Sequence, residues 1–241
     1  MFLMFDYTKL SPNHSGLRTH AIDRITPHCV VGQLSVEALG NTFLPKVRQA
    51  SCNYAIGSDG RVALIVEEKN RSWCSSSREN DQRAVTIECA SDSHPPYAFN
   101  AVVYQKLIDI SVDICRRYEK KKLLWLEDKA RTLSYNPAPD EMVLTVHRWF
   151  ANKSCPGDWL FSRMGELATK VTDQLSGRLP TTRYYRVRKS WSQPETQIGA
   201  FTLLPNAKEC AEKHEGYGIF DDEGKLVSYA ASMTKTRPHS S

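Results

Sequence analysis

The chain has 241 residues, 41% of them hydrophobic and 24% charged, with a net charge of +5, an ordinary balance for a globular protein with one full core and a smaller satellite. No run approaches the roughly 18 apolar residues of a membrane span, and Met1-Phe2-Leu3-Met4-Phe5-Asp6 lacks the basic lead of a secretory signal, so synthesis and retention in the cytoplasm are expected. Seven cysteines, an odd number, lack the dense regular spacing of a disulfide framework and most are expected to be reduced thiols, and the scattered basic residues suit a negatively charged polymer, of which nucleic acid is only one candidate.

In chain order, the stretch to about Leu17 is turn-rich, broken by Ser11-Pro12-Asn13 and Ser15-Gly16. Residues 21–28 read as a strand that ends at His28, and Ser35 is placed to cap a short helix. Strands are predicted over 54–57 and 62–66, paired antiparallel across Ser58-Asp59-Gly60-Arg61, whose Asp-Gly pair is a hairpin signal. Residues 84–90 form a continuous apolar run of the kind buried on both faces of a sheet, interrupted by Glu88. A carboxylate buried there without a partner is costly, so the strand needs a reason to carry it.

Val103, Leu107, Ile110 and Ile114 are spaced as the buried face of a helix over 100–120. A short strand at 123–125, an extended approach over 142–147 and a helix over 158–175 complete the first part. Strands alternating with helices, plus one hairpin, predict an α/β fold with a mixed central β-sheet flanked by helices.

Residues 177–183 read as a linker. Beyond it a strand at 184–188, a helix at 206–214 and a hairpin of 218–220 with 226–229 over Asp222-Glu223-Gly224 predict a small α+β module spanning 184–232. The tail over 233–241 has nothing apolar to bury and is expected to be disordered.

The chemistry concentrates in Val146-His147-Arg148-Trp149-Phe150-Ala151-Asn152-Lys153-Ser154-Cys155. An imidazole and a thiol eight residues apart suit Zn²⁺, and a third ligand from elsewhere leaves a fourth position open for water, as in a catalytic site. A satisfied histidine and a small buried hydrophobe are the bland alternative. A second segment, Ile25-Thr26-Pro27-His28, ends a strand with a histidine at the rim of a sheet. Cys29, next to it, should point to the opposite face and serve as core.

Ile25-Thr26-Pro27-His28, Asn53-Tyr54-Ala55-Ile56-Gly57-Ser58-Asp59-Gly60, Val85-Thr86-Ile87-Glu88 and Val146-His147 with Lys153-Ser154-Cys155-Pro156-Gly157-Asp158 together resemble type-2 N-acetylmuramoyl-L-alanine amidases. These are zinc hydrolases of phage endolysins and bacterial autolysins that share a fold with peptidoglycan recognition proteins, and the likeness runs in order over residues 22–175. It implies that 1–176 is a catalytic domain in which His28, His147 and Cys155 bind Zn²⁺, and that Glu88, Lys153 and Tyr54 lie nearest the reacting bond. It places Trp73 and Ser75 along the substrate groove. There Cys74-Ser75-Ser76 replaces the His-Ala-Gly of many members.

The implied reaction cleaves the amide between N-acetylmuramic acid and L-alanine of peptidoglycan. Glu88 would move the proton, and Lys153 and Tyr54 would steady the oxyanion. The implied partner is peptidoglycan, glycan and stem peptide together, with no nucleic acid and no membrane insertion, reached after release from the cytoplasm. A non-catalytic peptidoglycan receptor of the same fold is the alternative, although such members typically lose a metal ligand. The C-terminal module is similar to small modules appended to clostridial-type amidases and to sporulation-related glycan-binding repeats. Tyr184, Tyr185, Trp191 and Phe201 are its candidate sugar-stacking residues.

Overall fold

The structure, a computed structural model, describes residues 5–177, 184–201, 204–221 and 223–229. The expected linker beyond Gly177, the expected tail over 233–241 and Asp222 of the last hairpin lie outside the described residues. The chain divides into two compact units, residues 1–179 and 180–241.

Edge strands come first in the chain: β1 is Tyr7–Thr8 and β2 is His14–Leu17, within the stretch expected to be turns. They are too short to show a side-chain period and are held through backbone pairing, β1 with the later β5 and β2 with β6. β3, Arg24–Cys29, is buried along its whole length. Ser35 Oγ then accepts from Ala38 N and caps α1, Val36–Phe43. β4, Tyr54–Ile56, and β5, Val62–Leu64, pair antiparallel as the Asp-Gly signal predicts. Gly60 sits at φ +83°, and a Cβ there would meet Val102 Cγ1 at 2.6 Å, so both conformation and space require glycine.

β6, Asn70–Ser72, precedes a helix that has no apolar face to betray it, α2, Arg78–Arg83, capped by Ser77. Then come β7, Ala84–Cys89, and α3, Ala101–Arg117, with Val103, Leu107, Ile110 and Ile114 buried as their spacing predicts. β8, Lys122–Leu124, α4, Lys129–Ser134, and β9, Glu141–Leu144, follow. The helix expected over 158–175 is two, α5, Asp158–Phe161, and α6, Met164–Leu175. Trp159 O, which would accept the next helical N–H, instead accepts from Arg163 Nη1 at 3.0 Å and Ser162 Oγ at 3.1 Å, which breaks the ladder there.

The sheet runs β1-β5-β4-β7-β3-β9-β8, with β4, β7, β3, β9 and β8 parallel and β5 antiparallel to β4. One face packs Ile25, Tyr54, Ile56, Val85 and Ile87 against α3 and α6 in the main core. The other face packs Ala55 and Ala63 against Val36, Leu39 and Phe43 of α1.

β7 departs from the expectation of two apolar faces. Its residues 86 and 88 are polar and point away from the main core. Thr86 Oγ1 lies 2.8 Å from Ser72 Oγ, and nearby Thr26 Oγ1 bonds Thr145 Oγ1 at 2.7 Å and receives Asn80 Nδ2 at 3.0 Å. The threonine hydroxyls brought under the sheet at 26, 86 and 145 thus find partners, which lets buried strands carry them. Among the described residues no helix is long and apolar enough to cross a membrane.

In the second unit β10, Tyr185–Arg188, β11, Gly199–Phe201, β12, Gly218–Phe220, and β13, Leu226–Tyr229, form an antiparallel sheet of order β11-β10-β12-β13. The helix α7, Leu204–Glu212, contributes Ala207 and Ala211 to a core with Val187 and Ile219. Tyr185 and Phe201 pack against that core, and the Trp191 ring faces Phe220 at 6.2 Å. Tyr184 is exposed, as is Tyr229, a residue the sequence did not single out.

Candidate metal centre

His28 and Glu88 meet because β3 and β7 are parallel and in register, with His28 opposite Glu88. Side chains alternate along a strand, so both point to the face away from α3 and α6. His147 and Cys155 arrive on the loop after β9. His147 opens a short 3-10 turn, Arg148 N donates to Cys155 O at 3.0 Å, and the Arg148 guanidinium holds Asp158 at 2.9 Å and Ser154 O. Gly157 follows at φ +84°, where a Cβ would meet Pro96 O at 2.8 Å.

The donor atoms of His28, His147 and Cys155 lie within 4.8 Å of one another. Cys155 Sγ is 3.2 Å from His28 Nδ1, a few tenths of an ångström short of the roughly 3.5 Å that zinc bond lengths and a tetrahedral angle impose. His147 Nε2 is bonded to Ser76 Oγ at 3.0 Å, which leaves Nδ1 as its ligand atom.

The electrostatics match that use. Burial, and then the neighbouring His147, push the His28 pKa well down, while burial and Lys153 lower that of His147. Both rings are therefore neutral at pH 7, the form that binds metal. Burial and a contact with the Cys29 thiol raise Cys155, so the sulfur keeps its proton until a cation displaces it.

A cavity of about 660 Å³ opens over this cluster, lined in part by Trp73, Cys74, Glu88, His147, Lys153 and Cys155. Burial pushes the Glu88 carboxyl up to about 7, against the Cys74 thiol and Arg48, which favour its charged form. Cys74 Sγ donates to Glu88 Oε1 at 3.8 Å, and Glu88 Oε2 and His28 Nε2 have no hydrogen-bond partner. Lys153 brings an ammonium to the same wall.

Two expected site residues are not in the cavity. Tyr54 is opposite Ile87 and not Glu88 across the β4–β7 ladder, so its side chain is on the other face of the sheet. There it stacks on Phe5 at 5.5 Å and hydrogen-bonds Glu68. Ser75 is fully buried, with its hydroxyl on Asp81 Oδ1 at 2.6 Å. Asp81 also accepts from Cys74 N at 3.0 Å and Ser75 N at 3.1 Å, so the serine shapes the groove wall from behind. Trp73 does line the cavity, its indole N–H on Ser15 Oγ at 2.7 Å. Cys29 packs in the main core, as its strand parity predicts, while its thiol also touches Cys155.

Ser76 and Asp81, which position His147 and the 74–76 loop, carry no signal in the sequence. Ser76 adopts φ +62°, and its reach to His147 depends on that turn.

Two neutral imidazoles and a thiol beside a protonatable carboxyl, set at the edge of a mixed α/β sheet, define a hydrolase-type site. The chain belongs to the N-acetylmuramoyl-L-alanine amidase family, whose model matches residues 18–158, a span that includes His28, Glu88, His147, Lys153 and Cys155. Among curated proteins none matches significantly.

Several solved structures are similar. PlyL shares 15% identity at a TM-score of 0.48 over 70% of this chain and 97% of that one. The Staphylococcus aureus hydrolase AmiA, in complex with its ligand, shares 13% at 0.49 over 74% and 89%. The Ph2119 endolysin from Thermus scotoductus MAT2119 bacteriophage Ph2119 shares 16% at 0.43 over 65% and 90%.

Proposed function

We propose that the chain is a zinc-dependent N-acetylmuramoyl-L-alanine amidase that lyses bacterial walls, a phage or prophage endolysin that reaches its substrate after release from the cytoplasm. The observation that carries this reading is the convergence of His28, His147 and Cys155 within 4.8 Å beside Glu88. Zn²⁺ held by these three residues supplies Lewis acidity, polarising the scissile carbonyl and making water a stronger acid.

The protein's own groups do the rest. Glu88, with a pKa near 7, accepts the proton of the attacking water and returns it to the leaving amine of L-alanine. Lys153 presents hydrogen-bond donors to the oxygen that gains charge as the carbonyl is attacked. Ser76 fixes the orientation of His147, and Trp73 offers an aromatic wall to glycan or peptide.

In the second unit, wall binding is supported by the exposed rings of Tyr184 and Tyr229, the latter 69% exposed. Tyr185, Trp191 and Phe201 serve its packing instead. Metal analysis paired with mass spectrometry of digested peptidoglycan tests the whole reading. It expects one zinc per chain and new L-alanine amino termini without new reducing ends; reducing ends in place of amino termini would sink it.

A further inference from the structure

Cys74 has no part in that reaction, yet its thiol is fixed over the same cavity. Asp81 pins its backbone N–H at 3.0 Å, and its Sγ lies 3.8 Å from Glu88 Oε1. The donor atoms of His28, Cys74 and Glu88 fall within 4.8 Å of one another, a second set that shares only His28 with the first. Zinc bonds of about 2.3 Å to sulfur and 2.0 Å to oxygen at a tetrahedral angle put those two ligands roughly 3.5 Å apart, close to the separation here.

The shared histidine has a second ring nitrogen, which carries the proton of the neutral ring while Nδ1 faces the first set. His28 is 1% exposed, its Nδ1 is turned to Cys155, and its Nε2 has no partner, nor does Glu88 Oε2. Orphaned atoms in so buried a place point to a missing ligand. One sulfur, one nitrogen and one carboxylate suit a thiophilic divalent cation over Mg²⁺ or Ca²⁺.

We propose that His28, Cys74 and Glu88 form a second, inhibitory seat, filled by zinc or cadmium in excess of the first equivalent. Coordination replaces the Cys74 S–H bond with a sulfur–metal bond and the His28 Nε2–H bond with a nitrogen–metal bond, so both protons leave to solvent and the His28 ring bridges the two cations as an imidazolate. The same cation occupies the lone pairs Glu88 needs for proton transfer, so turnover stops. Only this last consequence rests on the proposed amidase reaction; the seat itself does not.

The test is a cadmium titration of the full-length protein carrying one equivalent of zinc, under a phosphine reductant. It is followed by ultraviolet thiolate-to-metal absorbance and by metal content after desalting. Wild type should take up a further cation with a thiolate band. In Cys74→Ser that band should disappear, and in both Cys74→Ser and Glu88→Gln the affinity for the added cation should fall by at least about tenfold, the least that losing a metal-site partner does. Circular dichroism checks that both near-isosteric variants fold. Excess zinc should inhibit wild type and spare Cys74→Ser.

Identical titrations for wild type and Cys74→Ser overturn the proposal. Failure of the catalytic reading shows elsewhere, as a Cys155→Ser protein that keeps its first zinc, and leaves the cadmium comparison readable.

Discussion

His28 and Glu88 stand directly opposite each other on adjacent parallel strands, both aimed away from the main core. That pairing explains how an apolar strand carries a carboxylate: the residue emerges beside the histidine instead of within the packing. Glu88→Gln keeps the shape and removes the proton acceptor. Turnover of peptidoglycan should fall about 10²- to 10⁴-fold, with zinc per chain unchanged by metal analysis. Zinc lost in proportion to activity would make Glu88 a ligand of the first site.

The same carboxyl sets a pH dependence of stability in the metal-free protein. Burial raises its pKa from 4.5 to about 7 in the folded state, so the folded chain holds the proton more tightly than the unfolded one. Stability therefore declines as pH rises through that interval and levels off above it. Glu88→Gln removes the decline. Thermal melts of metal-free protein should show the variant more stable than wild type at pH 8 and equal to it at pH 4; equal melting temperatures at both would place the carboxyl in water.

Tyr54 belongs to a different network. Glu68 receives Arg117 Nη2 at 2.7 Å and Tyr118 Oη at 2.9 Å, with Tyr54 a further donor. Burial pushes the Glu68 carboxyl up, and the Arg117 guanidinium with the two phenols more than reverses it, so its pKa is below the usual value. The resulting stabilisation is fully present above the unfolded pKa and is lost as pH falls through the lower folded one. Glu68→Gln should cost about 2 kcal/mol at pH 7 and progressively less in acid, measured by denaturant unfolding. Tyr54→Phe should cost about 1 kcal/mol and leave turnover within roughly twofold. A large loss of activity in that variant would return Tyr54 to the reaction.

The placement of Tyr54 shows where sequence reading ends. The apolar runs, the Asp-Gly turn and the helical spacing of Val103 to Ile114 report local periodicity, and strands and helix form there. Which face Tyr54 shares with Glu88 depends on inter-strand register, and the sequence contains no trace of Tyr54 pairing with Ile87. The metal ligands fare better because a resemblance spanning four segments carries register implicitly, and the fold does bring His28, His147 and Cys155 together. The side-chain bonds that split α5 from α6, and the Asp81 contacts behind Ser75, are made by polar groups with no period to announce them.

Ser75 and Ser76 are neighbours with opposite duties, and substituting each separates structure from chemistry. Ser75 Oγ donates to a buried carboxylate whose pKa burial raises and these hydrogen bonds oppose, so its loss leaves Asp81 with backbone donors alone. Ser75→Ala should lower stability by about 2 kcal/mol, the worth of a hydrogen bond to a charged group, and leave zinc affinity unchanged. Ser76 is exposed and stabilises little, yet its hydroxyl is the protein partner of His147 Nε2. Ser76→Ala should keep the melting temperature of the metal-free protein and weaken zinc binding about tenfold to a hundredfold, because an unanchored imidazole must be ordered by the cation itself. Competition against a chelator of known affinity measures this directly. Should the two variants exchange their effects, the loop would be oriented the other way, with Ser75 and not Ser76 facing the metal centre.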